Sequence, residues 1–177
     1  MNRLTSVKNI KDPYAKRILS YIVGKDAFNI YCQTSSRLKH LLKGLSERQL
    51  NTPPAKGKWS LAQIVNHLCD AEIVLAYRLR MILSQSGCSI QAYDEKAWAK
   101  NLKYEQSNCK EKIELFVHLR NDHIKILQSL NALEWKRFGI HEERGKETVE
   151  RLIQMYAGHD ANHLKQISLI RASFMEK

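Results

Sequence analysis

Residues 60–72 read Ser-Leu-Ala-Gln-Ile-Val-Asn-His-Leu-Cys-Asp-Ala-Glu, and they begin the best-defined helix of the sequence. Ser60 is a typical N-cap, and Gln63 follows three residues later, as in a capping box. Apolar side chains then recur every three or four residues along one face: Leu61, Ile64, Leu68, Ala71, Leu75, Leu79 and Ile82. The pattern predicts an amphipathic helix that ends near Gly87.

Three further amphipathic helices are predicted, one before this helix in the sequence and two after it. They cover residues 27–45, 105–133 and 147–174, where apolar side chains again recur at helical spacing. Strict two-residue alternation, which would indicate a half-buried strand, persists nowhere. Residues 1–25 are predicted to form an N-terminal arm or a short extra helix. Four long amphipathic helices predict an all-α fold, a four-helix bundle, with residues 1–177 as a single domain.

The composition agrees with a helical domain and argues against several other classes. Hydrophobic residues make up 44% of the chain, and 7 Gly and 3 Pro are too few for a turn-rich all-β protein. The four cysteines form no CxxC pattern. The first residues lead into charge rather than into an apolar signal sequence, and no stretch is apolar enough to span a bilayer. We therefore expect a cytoplasmic protein with no membrane partner.

The net charge is +11, from 29 Lys and Arg against 18 Asp and Glu. Such an excess could serve a nucleic acid or another anionic partner. The charges are spread along the chain without a run of one sign, however, and no nucleic-acid-binding motif accompanies them. We interpret the excess as a solvated basic surface and expect no nucleic-acid partner.

Three of the seven histidines form a candidate metal site. His159 and His163 are four residues apart, so they lie one turn apart on the same helix face and can converge on one ion at a zinc–nitrogen distance of about 2.1 Å. His67 borders the apolar stripe of the helix that Ser60 begins, and it is the natural third ligand. The alternative is that all three are packed core or rim histidines.

The polar neighbours of these histidines are harder to interpret. Asp70 and Glu72 could orient a ligand or simply face water. Asp160 follows a candidate ligand, but sequence neighbours point in different directions on a helix. His141 lies before the last helix and could reach the mouth of the site. The remaining histidines carry no prediction of a role: His40 is expected to face solvent, and His118 and His123 lie on different faces of one helix.

Three imidazole ligands would leave a coordination position for water or substrate. A metal bound in this way lowers the pKa of its water toward about 7 and polarises a carbonyl or a thiol. Structural zinc sites instead close all four positions, often with cysteine, and none of the four cysteines is clearly placed to do so. The predicted site is therefore typical of an enzyme rather than of a structural metal.

Three stretches resemble the motifs of one family, the DinB/YfiT-like proteins. Residues 59–72 (WSLAQIVNHLCDAE) resemble its second-helix motif, and residues 93–99 (YDEKAWA) resemble the segment between helices in the YfiT branch. Residues 156–167 (YAGHDANHLKQI) are similar to its last-helix motif. The three stretches occur in the family's order, and the likeness extends over residues 24–170.

The resemblance implies a four-helix bundle of the up-down-down-up type with long connections between helices. It also implies one divalent metal ion per chain (nickel, zinc or iron) with His67, His159 and His163 as ligands. Members of the family are often homodimers, so a homodimer is expected. Members of the YfiT branch are described as metal-dependent hydrolases, and relatives in the wider superfamily act as transferases that use bacillithiol, mycothiol or glutathione.

Three functions remain open at this point. The leading hypothesis is a metal-dependent hydrolase that activates a water for attack on a small-molecule substrate. The first alternative is an S-transferase for a low-molecular-weight thiol such as bacillithiol, with the metal activating the thiolate. The second alternative is a non-enzymatic, stress-related protein that binds metal or nucleic acid, for which the net charge is the sole support. The sequence identifies no general base for the hydrolase.

Overall fold

A computed structural model of the protein describes residues 3–175. Four long helices form the body of the molecule, and shorter elements cover one end of it. The helices are α1 (Pro13–Ser20), α2 (Ala27–Leu42), α3 (Glu47–Asn51), α4 (Leu61–Ser84), α5 (Glu95–Asn101), α6 (Cys109–Ser129) and α7 (Val149–Met175). The strands are β1 (Cys88–Ile90), β2 (Phe138–His141) and β3 (Gly145–Thr148). No helix in the described part of the chain is both long and apolar enough to cross a membrane.

The core of the bundle consists of two apolar clusters at opposite ends. On α4, residues 61–69 belong to the first cluster and residues 71–82 to the second. On α7 the order is reversed, because residues 149–157 belong to the second cluster and residues 164–170 to the first. The beginning of α4 therefore packs beside the end of α7, and these two helices are antiparallel.

The same clusters give the direction of the other two helices. The end of α2, with Leu38 and Leu42, belongs to the first cluster, as does the end of α7, so these helices are parallel. The beginning of α6, with Cys109 and Phe116, belongs to that cluster with the beginning of α4, so these are parallel too. The order up-down-down-up is thereby confirmed, and consecutive parallel helices require the long connection over residues 85–108.

A polar layer separates the two apolar clusters. It lies where each helix passes from one cluster to the other and consists of five buried side chains: Tyr31 of α2, Glu72 of α4, Arg120 and His123 of α6, and Asp160 of α7. Each of the five is at most 1% exposed. The three histidines of the candidate site lie next to this layer, within five residues of Glu72 on α4 and within three of Asp160 on α7.

The small sheet was not predicted from the sequence. Strand β2 pairs with β1 in parallel and with β3 in antiparallel orientation, and His141 lies opposite Ile90. Strands of three or four residues are too short for alternation to be recognised. Gly139 permits the approach of β2 to β1, because a Cβ at this position would overlap the side chain of Ile90.

The N-terminal segment contains a docked helix rather than a free arm. Asp12 caps α1 by accepting a hydrogen bond from the Ala15 backbone N–H, and Ile18 and Leu19 are buried against the bundle. Gly158 of α7 allows this contact, since a Cβ there would overlap the carbonyl oxygen of Ile18. Helix α1 is thus fixed one residue away from a candidate metal ligand.

The long helices agree with the predicted ranges, with differences at their ends. Helix α2 stops three residues before the predicted end, because the chain turns at Gly44, which has φ +81°. Helix α6 begins at Cys109 rather than near residue 105, because the Asn108 side chain accepts hydrogen bonds from two N–H groups and caps it there. A short 3₁₀ turn, Tyr104–Gln106, occupies the preceding residues.

Candidate metal centre

The position of His67 is set by a well-defined start of α4. The Gln63 N–H donates to Ser60 Oγ (3.3 Å), and the Ser60 N–H donates to Gln63 Oε1 (2.8 Å), so the predicted capping box is present. His67 lies two turns further on and is 3% exposed. Its ring also contacts Trp59, with the ring centroids 5.2 Å apart.

Helix α7 brings the other two imidazoles to the same point. The rings of His159 and His163 lie one turn apart with centroids separated by 4.5 Å, and each centroid is 4.9 Å from that of His67. Nε2 of His67 is 2.8 Å from Nε2 of His159. One ligand nitrogen from each ring lies within 4.8 Å of the others, and within residues 3–175 this triad is the one such cluster of His, Cys, Asp or Glu.

The arrangement fits a metal ion better than a packed group of histidines. A hydrogen bond between two imidazoles would explain the approach of His67 to His159, but not the convergence of the third ring. His163 Nδ1 is 3.0 Å from Gln166 Oε1, and a donated N–H there leaves Nε2 as the nitrogen with a lone pair. Three imidazole nitrogens are suitable ligands for several divalent first-row metals.

The electrostatics of the triad keep two of its rings neutral, those of His67 and His163. Burial, followed by the charges that His159 and His163 would carry, lowers the pKa of His67 to about 2. Burial and the neighbouring His159 lower the pKa of His163 to about 3, although its hydrogen bond to Gln166 acts in the opposite direction. At neutral pH both rings therefore present a lone pair, which metal coordination requires.

The buried rings predict that the metal-free protein is sensitive to acid. An unfolded histidine has a pKa of about 6.5, so below this pH the unfolded chain binds protons that native His67 excludes until about pH 2. Native stability is therefore lost as the pH falls, and from pH 7.5 to 5 His67 alone costs about 2 kcal/mol. Urea unfolding of EDTA-treated protein at several pH values measures this loss.

The His67→Ala variant is the control for the acid sensitivity. It should lose about 2 kcal/mol less than the unsubstituted protein over the same pH range, because the group responsible is gone. Equal losses in the two proteins would show that the acid sensitivity originates elsewhere.

The polar layer beside the triad is a network of buried charges. The Arg120 guanidinium donates to Glu72 Oε1 (2.6 Å), to Asp160 Oδ2 (2.7 Å) and to the Tyr31 carbonyl oxygen (2.6 Å). It also stacks on the Tyr31 ring at 3.6 Å from the centroid. Glu72 Oε2 is 2.9 Å from His123 Nδ1 and accepts from the Tyr31 hydroxyl (3.1 Å). The network joins all four long helices.

The two carboxylates of this network remain ionised. Burial alone would raise the pKa of Glu72, but the Arg120 guanidinium and the His123 hydrogen bond hold it below its usual range. The pKa of Asp160 is lowered in the same way by Arg120 against the effect of burial. Asp160 Oδ1 lies 3.9 Å from Nδ1 of His159, so the network reaches the triad directly.

A cavity of about 460 Å³ opens beside the triad. His159 lines this cavity, and residues of the connection over 85–108 and of the β2–β3 hairpin cover it. Its floor, the buried part of its lining, consists of Ala71, Arg78, His141, Met155, Tyr156 and His159. An ion held by the triad would therefore face a cavity large enough for a small molecule.

The structure places most of the histidines where the sequence indicated. The three candidate ligands come together, His141 lines the cavity, and His40 and His118 are exposed. Asp70 and Glu72 do not face water. Asp70 is buried and accepts a hydrogen bond from the Tyr104 hydroxyl (2.5 Å), while Glu72 belongs to the polar layer. Cys69, the cysteine nearest to His67 in sequence, is buried in the first apolar cluster.

Sequence reasoning missed the buried arginines and His123. A signal for Arg120 did exist, because it lies on the buried face of α6, four residues after Phe116 and seven before Leu127. His123 lies one turn further on. Arg78 lies at the edge of the apolar stripe of α4, three residues after Leu75 and four before Ile82, and elements outside this helix complete its burial.

Comparison with known proteins assigns the chain to a family. Residues 31–167 match the sequence profile described as the DinB superfamily. The chain belongs to the DinB superfamily. This match includes all three histidines of the triad, and it confirms the resemblance that the three sequence motifs indicated.

Among relatives in the superfamily, "Putative metal-dependent hydrolase YfiT" of Bacillus subtilis is 27% identical over 138 residues, which cover 77% of each chain. "Putative metal-dependent hydrolase OB0782" of Oceanobacillus iheyensis is 30% identical over 135 residues, covering 74% of this chain and 76% of that one. The solved structure of YfiT from Bacillus subtilis, described as a four-helix bundle of unusual topology, matches with a TM-score of 0.77 at 23% identity over 84% of this chain and 85% of its own. The predicted all-α four-helix bundle is thus confirmed.

Proposed function

We propose that this DinB-superfamily protein is a metal-dependent hydrolase whose divalent ion is bound by His67, His159 and His163. The observation that carries the proposal is the convergence of three imidazoles beside a cavity, with His67 and His163 held neutral by their surroundings. The names of the relatives from Bacillus subtilis and Oceanobacillus iheyensis support the same reaction class.

In this reaction the triad and Tyr156 would have different roles. The triad would hold the ion, which supplies a Lewis acid that lowers the pKa of a water and polarises a substrate carbonyl. Tyr156 lies three residues before His159, in the floor of the cavity. Burial raises the pKa of Tyr156, so the hydroxyl stays protonated and can donate to a substrate oxygen.

An S-transferase for a low-molecular-weight thiol is the second candidate. The observation that favours it is the cation in the cavity floor, Arg78, which is 6% exposed and could attract an anionic thiol. In this case the ion would activate the sulfur of the thiol instead of a water. The two candidates share the triad and the cavity and differ in their requirement for a thiol.

The experiment begins with protein stripped by EDTA and reloaded separately with Ni²⁺, Zn²⁺ or Fe²⁺. Each form is assayed with a panel of nitrophenyl esters without thiol, and with an electrophilic dye in the presence of cysteine, glutathione or bacillithiol. We expect ester hydrolysis to be absent from the stripped protein and restored by one of the metals, because the ion supplies the Lewis acid.

Two variants serve as controls for this experiment. His118→Ala removes an exposed histidine and should retain the metal and the activity, whereas His163→Ala should lose both. Ester hydrolysis that persists in the stripped protein or in His163→Ala would contradict the proposal. Turnover that requires an added thiol would replace the hydrolase with the S-transferase.

A further inference from the structure

Arg78 is a buried cation without a carboxylate partner. It is 6% exposed, and among the described residues no Asp or Glu oxygen lies within ion-pair distance of its guanidinium. The other buried arginine, Arg120, has two such partners. Because an uncompensated buried charge is costly, the environment of Arg78 calls for an anion that the chain itself does not provide.

The contacts of Arg78 leave much of its guanidinium available. Nη2 donates to the Gln91 carbonyl oxygen, and the guanidinium carbon lies 5.8 Å from the centroid of the Tyr93 ring. A planar guanidinium presents five N–H donors, so further donors remain for a bidentate contact. Arg78 also forms part of the cavity floor.

His141 places a second donor beside Arg78. The Glu143 backbone N–H donates to His141 Nδ1 (3.2 Å), so in the neutral ring the proton lies on Nε2. Burial and the charges of Arg144 and Arg78 lower the pKa of His141, which keeps the ring neutral. Its Nε2 lies 3.4 Å from Nη2 of Arg78. Two donors therefore face each other without an acceptor between them.

The acidic residues that line the cavity do not neutralise this pair. Asp12 and Asp94 accept hydrogen bonds from backbone N–H groups at the starts of α1 and α5. Glu143 is exposed and Glu95 is half-buried, whereas His141 is 2% exposed. Negative charge thus lies toward the rim and positive charge in the floor, where burial weakens screening by water.

We propose that Arg78 and His141 form an anion subsite, and that the substrate carries a carboxylate or a similarly compact anionic group that binds there. This inference rests on the proposed function in one respect, namely that the reacting group of the same molecule lies at the triad. His159 lines the same cavity, so a single small molecule can contact both. The reaction is then specific for anionic substrates.

The test uses two probes of nearly the same shape, of which one is charged and the other is not: 3-phenylpropanoate and its neutral amide. Their affinities for the metal-loaded protein are measured by calorimetry, with inorganic phosphate as a competing anion. We expect the carboxylate to bind about 10- to 100-fold more tightly than the amide, which is the usual gain from charge-assisted hydrogen bonds. Competition by phosphate would support a site that accepts compact anions in general.

Variants assign this preference to the subsite. Arg78→Gln should abolish the preference, because the affinity for the carboxylate falls while the affinity for the amide is unchanged. Arg78→Lys should retain part of the preference because the charge remains. Arg80→Gln on the same helix is the matched control, since Arg80 is exposed and paired with Asp122. A purely structural role for Arg78 would affect both probes equally, and that result would overturn the proposal.

Measurements on EDTA-treated protein separate this inference from the proposed function. A subsite at Arg78 and His141 should bind the carboxylate in the absence of metal, whereas a carboxylate held by the ion would not bind. Loss of the preference on removal of metal, or no carboxylate binding to the loaded protein at roughly 10 mM, would overturn the subsite and leave the hydrolase proposal standing.

Discussion

Replacing Arg120 with leucine is expected to lower the free energy of unfolding by about 3–5 kcal/mol. The substitution removes the cation that both Glu72 and Asp160 contact, at 2.6 and 2.7 Å, in a layer where all three side chains are buried. Two carboxylates would then have to be desolvated without a counter-charge or take up protons. Urea unfolding at pH 7 measures the change.

The matched control for Arg120→Leu is Arg80→Leu. Arg80 pairs with Asp122 at 2.6 Å and links the same two helices, α4 and α6, but both side chains are more than half exposed. Such a surface ion pair contributes less than about 1 kcal/mol. Similar losses in the two variants would show that burial of the Arg120 network adds nothing.

A second variant tests the physical cause of the effect. Combining Arg120→Leu with Glu72→Gln removes one of the two carboxylates that the single substitution leaves without a partner. We expect the double variant to be more stable than the sum of the single effects predicts, because the substituted groups contact each other directly. Strict additivity would contradict an electrostatic origin.

Replacing His67 with alanine is expected to weaken metal binding by more than about 100-fold. Loss of a residue that merely orients a ligand typically costs 10- to 100-fold, and His67 would be a ligand itself. Elemental analysis after gel filtration should find about one ion per chain in the unsubstituted protein and little in the variant. Activity on esters should fall to the background rate with the loss of the metal.

Thermal unfolding gives this prediction a readout that does not depend on activity. A ligand present at 1,000 times its dissociation constant stabilises the native state by about 4 kcal/mol, so the unsubstituted protein should unfold at a higher temperature with metal than with EDTA. The His67→Ala variant should show no such difference, and His118→Ala should behave as the unsubstituted protein does. Metal-dependent stabilisation that survives in His67→Ala would exclude His67 as a ligand.

The features that the sequence predicted correctly depend on neighbours within one helix. The capping box at Ser60, the apolar stripe of α4 and the shared face of His159 and His163 all follow from 3.6-residue periodicity. The sequence failed where elements were too short to show a period, as in the three strands, or where a charge occupied a core position, as at Arg120. Periodicity predicted the four helices, and the family motifs predicted in addition their up-down-down-up order and the long connections.

By itself the sequence determined four amphipathic helices, the start of α4 and one pair of histidines on a common face, because these features depend on local backbone geometry. The tertiary structure alone decided that His67 meets this pair across 92 residues, that Arg120 lies between two carboxylates, and that Arg78 meets His141. These contacts depend on how separate helices and strands pack, and no local spacing encodes that packing. The cavity beside the candidate centre also depends on tertiary structure, because residues of the long connections form part of its lining.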